Sequence, residues 1–122
     1  MKRLTGGNAP LSDIHGQEFV HPGTGQPISY AYVLGNLADR QFGSQKDVEA
    51  SWDAAVVALR AFALGDEALL EDAQYDALVE LLKRSYAPEA MTRHAYYQGA
   101  LRQIGTWLAS AEDAKVVAVA DN

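Results

Sequence analysis

The chain has 122 residues, no cysteine, and a net charge of −6 from ten basic and sixteen acidic side chains. One domain with its own core is the expectation at this length, and the missing thiols exclude disulfide frameworks, thiolate zinc sites and cysteine nucleophiles. No apolar run approaches the ~20 residues a membrane helix needs, and no basic patch offers the counterion release on which nucleic-acid binding depends.

Residues 1–10 read as a flexible lead-in, because Gly6, Gly7, Asn8 and Pro10 leave little to pack. The same glycines stand where a signal peptide would need its apolar region, so a soluble intracellular chain is expected. Short apolar runs at 11–14 and 18–20 flank His15, Gly16 and Gln17. That pattern reads as a small hairpin with Gly16 at positive φ. The run PGTGQP at 22–27 is turn chemistry. Residues 1–28 are therefore expected to form a lead-in and a hairpin arm.

A helical domain is expected over 29–110. Ser29 is a candidate N-cap for a first helix to about Arg40, with Tyr30, Val33, Leu34 and Leu37 inward. Gly35 inside it costs about 1 kcal/mol against alanine, unless a neighbour packs close there. Ser44 and Asp47 resemble a capping box that opens a second helix to about Leu64. Val48, Trp52, Val56, Leu59, Phe62 and Ala63 form its expected buried stripe, and Gly65 fits a left-handed position past its end. A third helix covers about 71–86, with Leu70, Ala73, Leu78, Leu81 and Leu82 toward the core. Its acidic start and its Lys83 and Arg84 end suit the helix dipole.

The fourth helix, over 87–110, has the clearest start signal, Pro88 followed by Glu89. Met91, Ala95, Tyr97, Leu101, Ile104 and Leu108 recur along it at three- and four-residue steps, and Tyr96, Ala100 and Trp107 widen that face. Residues 111–122 form a tail that is either disordered or an edge strand, with KVVAVA at 115–120. The fold class is thus mainly α: an N-terminal extended arm or hairpin, then a compact bundle of about four helices.

No catalytic, cofactor-binding or metal-ligating set stands out. His15 and His21, with Asp13 and Glu18 nearby, match no zinc spacing. His94 beside Tyr96 and Tyr97 is the one sketch of acid–base chemistry, and it is offset from the core line of its helix. Gly23-Thr24-Gly25 lacks the lysine of a phosphate loop. Two other features suit a protein partner or self-association. Tyr32, Tyr96 and Trp107 are candidates for an exposed contact, since a domain this small cannot centre every aromatic. Asp72, Asp76 and Glu80 place three carboxylates on one helix face, within a stretch (39–80) that holds ten acids against three bases. That row is either a wet face or a seat for a basic partner.

The order of features is similar to a loose group of small proteins encoded in bacteriophage and prophage genomes. It is carried by LSDIHG at 11–16, GQPI at 25–28 leading into VLGNL at 33–37, the helix at 54–64, LEDAQYDAL at 70–78 and the proline corner that follows. The resemblance covers about residues 11–88. It implies a virus-encoded accessory protein found in the host cytoplasm or the virion, without catalytic residues to carry over. The leading expectation is a non-enzymatic interaction protein in head or tail assembly. The alternatives are an acidic inhibitor of a host protein or defence complex, and a small enzyme built on His94 and its tyrosines.

Overall fold

Ten residues at the start of the chain decide how one end of the molecule closes. A computed structural model describes residues 1–13, 15–85 and 95–114, with side chains from residue 99 onward in the last stretch. The elements are β1 (Lys2–Thr5), α1 (Tyr30–Asp39), α2 (Gln45–Leu64), β2 (Glu67–Leu70), α3 (Asp72–Ser85), α4 (Ala95–Ala109) and β3 (Glu112–Asp113). The chain is mainly α, as the periodicity predicts, but the lead-in reading of residues 1–10 is overturned. β1 is the middle strand of an antiparallel sheet of order β2-β1-β3, and Leu4 within it is fully buried.

The residues after β1 close the helices at that end. Asn8 donates its amide to the carbonyls of Phe62 (2.9 Å) and Gly65 (3.0 Å), which the end of α2 leaves without helical partners. With those oxygens satisfied from outside, Gly65 has no need of the expected left-handed turn. It is extended, at φ −173°, and leads straight into β2. The backbone of Gly7 and Ala9 accepts from Ala31 and Tyr30, which fixes the start of α1. Met1 and Lys2 meet the start of α3, and Thr5 meets the end of α4. The sheet end therefore collects the N-termini of α1 and α3 and the C-termini of α2 and α4. The bundle runs up, down, up, down.

Local caps set the helix starts where the sequence predicts them. Ser29 Oγ accepts from the Tyr32 N–H, and Ser44 Oγ from that of Asp47. Gly35 does have a close neighbour: a Cβ there would stand 3.3 Å from Leu59 Cδ1. The buried face of α2, however, is rotated from the expected stripe. Ser51, Ala54, Ala55, Ala58 and Phe62 are buried, while Trp52 and Ala63 are exposed. α2 packs against both α1 and α3, and small side chains let the axes approach where bulky ones would hold them apart. In α3, Leu78 and Leu81 face the core as expected, Ala73 is exposed, and Leu70 belongs to β2. In α4, Ala100, Leu101, Ile104, Trp107 and Leu108 are buried. Pro88, Met91 and His94 lie outside the described residues, as does the KVVAVA run.

At the opposite end of the bundle a polar clamp replaces the sheet. Arg84 at the end of α3 donates to Gln41 Oε1 (2.7 Å), Ser51 Oγ (3.0 Å) and Phe42 O (3.0 Å). Gln41 in turn donates to the carbonyls of Ala38 and Val48. One guanidinium thus pins α3 to the α1–α2 corner.

Candidate interaction surface

Of the residues singled out as contacts, Tyr32 has the expected placement. It is the third residue of α1, on the side away from buried Leu34 and Leu37, and it is 49% exposed. Beside it opens a groove of about 330 Å³ lined by Phe19, His21, Ile28, Tyr32, Val33 and Ala100, among others. The far wall of this groove is the N-terminal arm. The arm is a ring of three extended segments: Leu11 N–H donates to Ile28 O, Ile28 N–H to Phe19 O, and Phe19 N–H to Leu11 O. Its edge is tied to the bundle by Gln103, whose side-chain amide accepts from Ser12 N–H and donates to Ser12 O, both at 2.8 Å. Gln103 behaves here like a neighbouring strand.

The turns of the arm use Asp13, His21 and the backbone of 23–25, part of the set that suggested metal or phosphate chemistry. Asp13 Oδ1 accepts from the N–H groups of His15 (2.8 Å) and Gln17 (2.9 Å), and Gly16 takes φ +79° as expected. The N–H of Gly23 donates to His21 Nδ1, and those of Thr24 and Gly25 donate to His21 O. A loop whose donors are already used offers no cradle to an anion. Among the described residues, no three His, Asp or Glu side chains converge on a common point.

Trp107 is a correction: it is not an exposed contact. It is 7% exposed, stacks on Tyr30 at 5.3 Å and meets Phe62 at 5.7 Å, and its Nε1–H donates to Thr5 O at 2.7 Å. With its one polar group satisfied, the ring gains more from burial than from solvent. The side chain of Tyr96, and all of His94, lie outside the described parts.

Asp72, Asp76 and Glu80 all stand exposed on α3. Asp72 pairs with the Met1 amine at 3.1 Å, and Glu80 with Lys83 at 3.2 Å. Two of the three charges are therefore already answered within the chain. The Lys2–Asp113 pair, at 2.6 Å, ties β1 to β3. The hydrogen bond from Lys2, reinforced by its charge, holds the Asp113 carboxyl below the usual aspartate range, and the same bond raises Lys2.

Sequence reasoning missed three exposed apolar side chains: Trp52 at 47%, Phe42 at 67% and Leu64 at 92%. Trp52 was hidden by a hydrophobic stripe that the small-residue face of α2 outcompetes. For Phe42 the signal was its place in a corner beside Gly43. Leu64, as the last residue of its helix, has no periodic constraint at all. Comparison with protein-family models, with curated proteins and with solved structures finds no match for this chain.

Proposed function

We propose that this chain works by protein–protein contact, without catalysis of its own, as an accessory protein of phage type in virion assembly. The observation that carries the contact reading is Tyr32, half-exposed on a helix at the rim of a mostly apolar groove. A tyrosine so placed supplies a large, stiff contact area with a polar tip, the kind of side chain on which binding energy concentrates. The phage setting is supported by the resemblance over residues 11–88 alone. The acidic-inhibitor reading draws less support, since Asp72 and Glu80 already have cationic partners.

Affinity capture with wild type and Tyr32→Arg, at low and high salt, tests this. Aromatic contact predicts a partner retained at high salt and bound about tenfold more weakly by the variant, the equivalent of ~1.4 kcal/mol. A partner held equally by both proteins and released by salt would sink the proposal in favour of the acidic face.

A further inference from the structure

The sheet has two edges, and they are not alike. β1 is paired on both sides, whereas β2 is paired on one, and among the described residues no strand runs along its outer edge. Natural edges are usually guarded by lysine, proline, a bulge or an unanswered charge. β2, with sequence EALL, has none of these. Its one charge, Glu67, stands 2.9 Å from Arg3 Nε on the neighbouring strand. Two leucines are exposed in or just before this strand, Leu69 within it at 45% and Leu64 at the end of α2 at 92%.

The chain also carries a segment suited to that edge. β3 and Ala114 complete the pairing with β1, the Ala114 N–H donating to Met1 O. The run KVVAVA follows at 115–120, outside the described residues, with three valines and its only charge at the start. Six extended residues span about 20 Å, more than enough for a four-residue strand. β3 lies on the far side of β1 from β2. β3 thus lies about two strand spacings, or ~10 Å, from the β2 strand of its own chain. Reaching that edge would mean crossing a face of the sheet. The β2 edge of a second copy imposes no such detour.

We propose that residues 116–120 of one copy add as a strand to the β2 edge of a second copy, reciprocally, to give a dimer. Val117 and Val119 then share the face of Leu69, which side-chain alternation places opposite buried Ala68 and Leu70. The contact is separate from the Tyr32 groove and does not rest on the function proposed above.

Sedimentation equilibrium of the full chain over a hundredfold range of concentration tests it, alongside two full-length variants, Val117→Lys/Val119→Lys and Leu69→Lys. The expected result is a salt-resistant dimer for the parent and at least a tenfold weaker association for each variant, with unchanged helical circular dichroism. Should Leu69→Lys fail to fold, the valine pair, which lies outside the described residues, carries the test. A parent that is monomeric throughout overturns the proposal, whether the tail is free or folds back on its own chain. So does a dimer that survives the valine substitutions.

Discussion

At the scale of single residues, the tightest surroundings of any glycine are those of Gly7, against Phe62. A Cβ on Gly7 would stand 2.6 Å from the Phe62 ring, well inside contact distance. Phe62 cannot retreat freely, because it also meets Trp107, which in turn is stacked on Tyr30 and bonded to Thr5 O. A methyl group there must displace a ring that is backed by Trp107, itself held by Tyr30 and Thr5. Gly7→Ala is therefore expected to cost about 1–3 kcal/mol, the usual penalty of overpacking a closed core. A urea denaturation midpoint reads this directly. An unchanged midpoint would show that the ring has room to move and that the aromatic cluster is looser than its distances indicate. Gly7 was visible in the sequence only as a flexible residue, since closeness to a ring 55 positions away leaves no local trace.

At the scale of elements, β3 meets β1 through side chains as well as through its few ladder bonds, in the Lys2–Asp113 pair. The folded state depresses the Asp113 carboxyl and raises the Lys2 amine. The aspartate's contribution is thus present above its ordinary pKa and is lost as pH falls through the depressed value. The lysine's is complete below its own ordinary pKa and lost as pH rises through the raised one. Both groups are exposed, so the effect on stability is small, but the titration itself is diagnostic. Lys2→Met is expected to move the Asp113 carboxyl midpoint, followed by NMR, upward toward the ordinary value. Equal midpoints in the two proteins would dismiss the pairing. The helices were legible because their signals are local: Ser29 and Ser44 cap within three residues, and Leu34, Leu37, Leu78, Leu81 and Leu101 keep helical spacing. The strands were not, because four-residue runs such as KRLT and EALL acquire meaning only from partners some 65 positions apart. The contact surface divides the same way. Tyr32 could be read from the opposite face of its own helix, whereas the exposure of Trp52 follows from how closely Ala54, Ala55 and Ala58 let other helices approach.

At the scale of the whole molecule, two different devices close the two ends of one bundle. The far end is closed by a cation among neutral oxygens, Arg84 with Gln41, Ser51 and Phe42. The near end is closed by residues 1–9, which supply the middle strand, the Asn8 cap of α2, the acceptors for the first turn of α1 and the acceptor for Trp107. Removing residues 1–8 would delete all of these except the Ala9 carbonyl. Loss of Leu4 burial alone is on the order of 2–5 kcal/mol, and the lost hydrogen bonds add about 1 kcal/mol each. A domain of this size has only about 5–15 kcal/mol in total, so the shortened chain is expected to lose its cooperative thermal transition. Circular dichroism on heating distinguishes the outcomes. A broad, non-cooperative loss of helix fits a chain organised around its first strand. A sharp transition within a few degrees of the full chain would mean that the four helices fold without the sheet, and that the first eight residues are the dispensable lead-in their composition suggests.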